Sequence, residues 1–492
     1  MQLDHEACYR AIQARDPRFD GQIFTGVKTT GIYCRPICPA RTPRPENIVF
    51  YPSAAAAQAA GLRPCLRCRP EASPDLAAWR GTSSTVSRAL ALIETGALDE
   101  TDVEALAERL GMGARQLRRL FRQHLGASPV SVAQTRRILL AKQLLHETNL
   151  PMAELALAAG FGSIRRFNET FRSLYARPPS ALRAEATQET PAQSGEATSL
   201  RLPYRPPYDW DAMLGFLRLR AIPGVESVGA NHYARSIAIG TDQGVISVRP
   251  GTGDFLAVDI WFPRLSSLPA IIARIRRVFD LTADPHTINE ALEQDEILAP
   301  LVAARPGLRV PGAWDGFELA VRAILGQKIS VTAATRLGAK MAAAYGTPLP
   351  SSLQGRVEGL THLFPGPAEL ADADLTRLGI IRTRAACLSS LAQAMLADSL
   401  LLSPRASLEE AVARLISLPG IGEWTAHYIA MRALREADAF PHGDIGLRRA
   451  LADNNGRPSA AALLARAEAW RPWRAYAALH LWTSEPTQEA LQ

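Results

Sequence analysis

Residues 418–444 read LPGIGEWTAHYIAMRALREADAFPHGD, and the reading of Leu418-Pro419-Gly420-Ile421-Gly422 decides the fold of the C-terminal half. A Pro and two Gly so closely spaced punctuate an otherwise helical pattern, so a hairpin between two helices is expected. Glycine lets the backbone amides of Gly420 and Gly422 approach a phosphate, and the N-terminus of the next helix adds positive potential. A monovalent cation held by hairpin carbonyls is a further expectation, one that no side chain announces. Further on, Asp444 stands in PHGDIGLRRAL, just before another helix. In that place an Asp is ordinarily an N-cap.

Working outward, the chain of 492 residues is too long for one core. The fold class expected is multidomain and mainly α, with α+β parts. The apolar fraction of 47% is ordinary for folded protein. No apolar run approaches the length that spans a bilayer. The N-terminus MQLDHEACYR lacks the basic and apolar regions of a signal peptide, so a cytoplasmic location is expected, with no membrane partner. A net charge of +7 and a pI near 9.2 suit a polyanionic partner. Arginine greatly outnumbers lysine and alanine is abundant, which a GC-rich genome also explains. Charge alone therefore decides nothing until it is placed on elements.

Composition suggests five segments. Residues 1–75 hold two Cys pairs and short strand-like runs, and 80–184 turn helical. Residues 185–200, EATQETPAQSGEATSL, are poor in large apolar groups and read as a linker. Residues 201–285 alternate as strands do in YARSIAIG, GVISVRP and FLAVDIWF, and 286–485 are helical again.

Cys34 and Cys38 form C-x-x-x-C, and Cys65 and Cys68 form C-x-x-C. Paired cysteines at this spacing suit tetrahedral zinc, because each pair chelates from one turn. Four thiolates on one zinc carry a net charge of about minus two, so each sulfur stays electron-rich. Arg35, Arg41, Arg63, Arg67 and Arg69 surround the site in sequence. A purely structural zinc site is the plainer reading. However, FTGVKTTGIYCRPICPAR followed by GLRPCLRCRPE resembles the N-terminal domain of the Ada adaptive-response proteins. The resemblance implies that Cys34 takes a methyl group irreversibly from a DNA methylphosphotriester, with Cys38, Cys65 and Cys68 as the other ligands. It also implies DNA-backbone contacts by Thr30, Arg41 and Arg63. Cys8 and Cys387 have no partner at ligand spacing and read as buried small apolar residues.

VEALAERLGMGARQLRRLFRQHLGASP, residues 103–129, has a helix, a glycine turn and a second, arginine-rich helix. Such a turn lets the second helix enter a major groove, with Arg115, Gln116, Arg118, Arg119 and Arg122 on its exposed face. The pattern recurs at 152–183, where Ser163, Arg165, Arg166 and Asn168 start the reading helix. Two such units, with Gly160-Phe161, Phe167, Phe171 and a terminal P-x-x-x-R, resemble the AraC-type DNA-binding domain. That resemblance implies promoter DNA and RNA polymerase as partners. Arginine concentrates on the reading helices, which favours DNA over genome composition as the source of the charge.

The C-terminal half resembles the helix-hairpin-helix DNA glycosylases of the AlkA type. The match rests on RPPYDWDAMLGFLRLRAIPGVE, RPGLRVPGAWDGFELAVRAILGQKIS, the 418–444 stretch and RPWRAYAALHLW. The resemblance implies that Asp444 is the catalytic carboxylate and that Tyr428 and Trp482 line a base pocket. Trp424 fits either the pocket or the core, and core packing is the plain alternative for Tyr428 and Trp482 too. Gln327 and Lys328 fall at the expected DNA-contacting loop, but AlkA itself usually carries an apolar wedge where Lys328 stands, which puts that role in doubt. Bifunctional members carry a Schiff-base lysine two residues after the hairpin's last glycine. Trp424 occupies that place and no lysine follows Lys340, so excision without lyase activity is implied. No Pro-Cys-His-Arg sequence, the mark of the guanine-O6 methyltransferase domain of many Ada proteins, occurs. The expectation is a monomeric protein that senses alkylated double-stranded DNA, activates transcription and excises bases such as 3-methyladenine and 7-methylguanine. The alternative is a regulator whose glycosylase-like domain grips damaged DNA without cutting it.

Overall fold

The structure, a computed structural model, describes residues 4–16, 19–68, 70, 85–94, 96–148, 150–186, 197–399, 401–402, 407–452 and 456–484. Residues 187–196 of the expected linker lie outside this set. The chain divides into two compact units, one running to Arg205 and taking in Gly251–Ala273, the other built on Pro206–Pro250 and residues from Arg274 onward. Among the described residues, no helix is long and apolar enough to cross a membrane.

The first unit opens with a four-stranded sheet. Strand Phe24–Val27 lies between Ile48–Tyr51 and Ile32–Cys34, both antiparallel to it, and Arg63–Pro64 pairs parallel to Ile32–Cys34 on the outside. Phe24, Tyr33 and Ala57 form the small core under it, with Tyr51, Ala54 and Leu62 packed alongside. Gly26 is required there, because a Cβ would lie 2.4 Å from Leu62 Cδ1 and 2.6 Å from the Tyr51 ring. The helix Ala54–Ala59 also packs on the long helix Pro129–Glu147, so this sheet shares the first unit's larger core.

The two helical pairs predicted from the glycine turns are present. Val103–Arg109 leads through Gly111, at φ 69°, into Ala114–Leu125, and Met152–Ala158 leads through Gly160, at φ 87°, into Ile164–Tyr175. Leu117, Phe121 and Leu125 bury one face of the first reading helix, and Phe167, Phe171 and Tyr175 that of the second. The long helix Pro129–Glu147 joins the pairs and is capped by Ser128, whose hydroxyl accepts from the Ser131 amide at 3.1 Å. Its Gln143 donates to the Arg201 carbonyl at 2.8 Å, and its Glu147 accepts from the Arg201 amide at 3.0 Å. These bonds hold strand Thr198–Pro203, which pairs antiparallel with Phe255–Trp261, in the first unit. Residues 198–200, expected in the linker, are thus strand, and 185–186 end the helix Pro179–Ala186.

In the second unit Glu226–Val228, Tyr233–Ile239 and Asp242–Pro250 form an antiparallel meander, and the rest is helical. A buried ion network ties meander to helices. Arg235 donates to Glu318 at 2.7 Å, and Arg322 reaches both Glu226 and Glu318. Burial alone would raise the Glu318 carboxyl, but Arg235 and Arg322 outweigh it and hold it at about 2. The helix so fixed, Gly316–Leu325, packs against Glu423–Arg432 and ends in the Gln327–Lys328 loop.

Candidate functional site

In the first unit, the pairing of Ile32–Cys34 with Arg63–Pro64 brings the two cysteine turns together. Cys34 ends one strand, and the Cys65 amide donates to the Tyr33 carbonyl at 3.0 Å. The sulfurs of Cys34, Cys38, Cys65 and Cys68 all lie within 4.8 Å of one another. Cys65 and Cys68 are buried, while Cys34 and Cys38 are half-exposed. Hydrogen bonding among crowded thiols, led by Cys38, pushes Cys34 far up, while the bond with Cys34 draws Cys38 and Cys65 down. Four sulfurs that cannot titrate separately are the donor set a tetrahedral cation resolves. The residues fit zinc, and zinc is the cofactor of this chain.

Around the sulfurs, the Arg35 amide donates to Cys68 Sγ at 3.3 Å, and its guanidinium donates to the Cys68 carbonyl at 3.2 Å and to Asp20. The buried Lys142 ammonium, on the long helix, donates to the Cys65 carbonyl at 3.2 Å. Thr30 and Arg41 are exposed, and Arg63 is half-buried on its strand.

The reading helices divide their polar residues unequally. Arg115, Gln116, Arg119 and Arg122 are exposed, but Arg118 turns back to Glu104 at 2.6 Å. On the second helix Arg165 and Arg166 are exposed, with Arg165 2.8 Å from Glu169. Ser163 is the N-cap and its hydroxyl accepts from the Arg166 amide at 3.2 Å, so that oxygen already has a task.

In the second unit, Leu408–Ile416 and Glu423–Arg432 flank the hairpin. Gly420 adopts φ 86°, which glycine allows, and a Cβ there would lie 2.9 Å from Cys387 Cβ and Sγ. The Gly420 carbonyl accepts from Gln327 Nε2 at 3.1 Å, and that amide also reaches Thr425 Oγ1 at 3.2 Å. Gly422 is the N-cap of the second helix, with no side-chain cap and open space where a Cβ would stand. Next to Gln327, exposed Lys328 holds φ 56°, a left-handed conformation unusual for a side-chain-bearing residue.

Asp444 does cap helix Ile445–Ala450, its Oδ1 accepting from the Leu447 amide at 3.0 Å. The N-cap reading is correct but incomplete. The same oxygen accepts from Trp482 Nε1 at 2.9 Å, and Oδ2 accepts from Trp424 Nε1 at 2.8 Å. Trp424, ambiguous in the sequence, therefore belongs with the carboxylate. Its ring stacks on Tyr428 with centroids 5.2 Å apart and planes 8° from parallel, and Tyr428 meets Trp482 edge-on at 6.4 Å. All four side chains are half-exposed, which a core cluster would not be.

Behind Tyr428 lies a group the sequence did not reveal. Arg432 donates to the Tyr428 hydroxyl at 2.7 Å, and Phe216 lies between Arg220 and Arg432, 3.8 Å and 4.6 Å from their guanidinium carbons. Burial alone would raise the Tyr428 phenol, but Arg432 and then Arg220 outweigh it and hold it below the usual tyrosine range. The Arg432–Tyr428 spacing of four is a helix-face signal, but the pairing with Phe216 is purely tertiary.

Three family models match: the metal binding domain of Ada over residues 7–71, a helix-turn-helix domain over 106–185 and the AlkA N-terminal domain over 199–315. The "Probable bifunctional transcriptional activator/DNA repair enzyme AlkA" of Mycobacterium tuberculosis (strain CDC 1551 / Oshkosh) is 42% identical over 487 residues, covering 98% of this chain and 97% of that protein. The "DNA-3-methyladenine glycosylase 2" of Escherichia coli (strain K12) is 39% identical over 291 residues, 58% of this chain and 98% of its own length. A 3-methyladenine DNA-glycosylase from Archaeoglobus fulgidus superposes with a TM-score of 0.51 at 24% identity, over 57% of this chain and 97% of that one, which supports the fold of the C-terminal half. With zinc-site, tandem reading helices and hairpin all in place, this chain belongs to the family of bifunctional transcriptional activators and DNA repair enzymes that the mycobacterial AlkA protein represents.

Proposed function

We propose that the chain couples methylphosphotriester sensing and transcriptional activation to the excision of alkylated purines. The carrying observation is the Asp444 carboxylate held by two indole N–H groups beside stacked aromatic rings. Bases such as 3-methyladenine and 7-methylguanine are cationic, so the glycosidic bond needs little acid help. Electron-rich faces such as those of Tyr428 and Trp482 hold such a cation by about 0.5–2 kcal/mol. The nucleotide first leaves the stack. Asp444 then stabilises positive charge on the sugar and assists the water that attacks it, as a glycosidase carboxylate does. No lysine stands at Trp424, so the strand is left uncut.

Gly420 and Gly422 amides meet the phosphate backbone, with Gln327 and Lys328 on the neighbouring loop. Lys328 offers charge where an apolar wedge is usual, and its left-handed backbone projects it from the loop. At the other end of the chain, the Cys34 thiolate attacks the methyl carbon of a methylphosphotriester. A sulfur–carbon bond forms, the carbon–oxygen bond breaks, and a phosphodiester is released. Zinc, when bound, keeps the thiolate deprotonated. Methylation removes one negative charge facing DNA, a change of about 1–4 kcal/mol for a charge a few ångströms from a phosphate. Thr30, Arg41 and Arg63 hold the damaged backbone. Arg115, Gln116, Arg119, Arg165 and Arg166 read the promoter, with RNA polymerase as the partner and the protein acting as a monomer.

The deciding experiment is base release from methylated duplex DNA by the purified chain and by Asp444→Asn. Asn caps a helix as well as Asp does, so the variant stays folded. Release is expected to fall by about 100-fold or more. No release by the wild type favours the regulator that grips damage without cutting, and equal release by both would remove Asp444 from the chemistry.

A further inference from the structure

The helix that follows the hairpin carries a second set of donors. Glu423 and His427 are four residues apart on Glu423–Arg432 and so share one helix face. His442 approaches them from the segment that ends in Asp444. One donor atom from each of the three lies within 4.8 Å of the others. His442 Nε2 is 3.5 Å from Glu423 Oε2, and the two imidazole rings stand 6.1 Å apart at 77°. Glu423 is exposed and the histidines are half-buried.

We propose that Glu423, His427 and His442 bind one divalent transition-metal ion, separate from the zinc held by the cysteines. Two imidazoles and one carboxylate suit zinc, cobalt or nickel, whereas magnesium and calcium prefer oxygen alone. Three protein ligands leave at least one position for water or an anion oxygen. His427 Nδ1 accepts from the Phe440 amide at 3.3 Å, so without an ion the ring proton is on Nε2, the nitrogen left to face the other two donors. Ligation there needs the ring proton on Nδ1, so this long contact is given up when the ion binds. The ion ties the hairpin helix to the segment carrying Asp444, since His442 lies two residues before it. Glu423 directly follows Gly422, the N-cap of this helix, so the ion sits at the helix's first turn. The site does not depend on the excision chemistry proposed above, because it rests on three side chains outside that reading.

Cobalt(II) titrated into the zinc-loaded full chain is the test. The expected result is one additional cobalt per chain with a weak ligand-field spectrum and no thiolate charge-transfer band, which separates it from exchange into the cysteine site. Because Glu423 is exposed, Glu423→Gln keeps the fold and should weaken this binding by about 10-fold or more. His442→Ala should abolish it. The unfolding midpoint of the wild type should rise with cobalt, and that of His442→Ala should not. Absence of the additional ion, or its undiminished binding by both variants, overturns the proposal.

Discussion

At the scale of single residues, the carboxylate at 444 is defined by what donates to it. Trp482→Phe keeps most of the ring but removes the N–H bonded to Oδ1. A hydrogen bond to a charged group is worth about 1.5–3 kcal/mol, so base release should fall by roughly 10- to 100-fold where that bond is strongest in the transition state. Single-turnover kinetics with the variant checks this, and an unchanged rate would remove Trp482 from the machinery. A second residue-scale consequence concerns pH. Burial pushes the His480 imidazole, on the same helix as Trp482, down to about 4 from an ordinary value near 6.5. The unfolded chain therefore binds the proton more tightly than the folded one. The stability due to neutral His480 is present above pH 6.5 and is lost as pH falls toward 4, roughly 3 kcal/mol in all. Denaturant unfolding of His480→Gln across that window should show a flatter pH dependence than the wild type. The cysteine ligands were legible because chelation depends on local spacing, whereas Asp444 reads locally as an N-cap and is singled out only by the resemblance to AlkA-type glycosylases. The meeting of Phe216 with Arg432 was not legible, because more than two hundred residues separate them and only folding brings that second cation onto a ring already paired with Arg220 of its own helix.

At the scale of elements, the hairpin is the best test of how sequence dictates geometry. Gly420 was readable as a turn, but its second constraint, contact with Cys387, was not, since nothing in RAACLSS announces a neighbour. Gly420→Ala meets both constraints. A left-handed conformation costs an alanine about 1–2 kcal/mol, and the 2.9 Å approach to Cys387 adds to it. Adding Cys387→Ala removes the clash with sulfur but not the backbone strain or the contact with Cβ. The double variant should therefore recover part, and only part, of the lost stability in thermal unfolding. The reading helices give the complementary prediction. Arg166→Ala deletes an exposed cation of the second helix, whereas Arg118 is already engaged by Glu104. Operator affinity measured against salt should fall by about 1–3 kcal/mol for Arg166→Ala, and less for Arg118→Ala. Arginine density marks both helices, and ion pairing within and between helices decides which of those arginines stay uncommitted at the surface.

At the scale of the whole molecule, the sequence anticipated three module types, and the two compact units redistribute them. Zinc ligands and both reading-helix pairs fall in the first unit, and Asp444 with its indoles falls in the second. What composition could not convey is that strand Thr198–Pro203, just past a stretch that reads as linker, is claimed by Gln143 and Glu147 of the long helix. Side-chain bonds to a backbone leave no periodic trace. The division yields a prediction about independence. Cys65→Ser deletes a buried ligand and should cost the first unit its zinc and its methyl acceptance and lower its thermal stability, because binding free energy of the ion adds to that of the fold. Every side chain proposed for excision lies in the second unit, whose core and ion network Arg235–Glu318–Arg322 do not involve that zinc. Base release by Cys65→Ser at moderate temperature should therefore stay within about twofold of the wild type, while calorimetry shows one transition lowered and the other kept. Parallel loss of base release would mean that the excision site requires the integrity of the zinc module, and the two activities would then have to be treated as one cooperative machine.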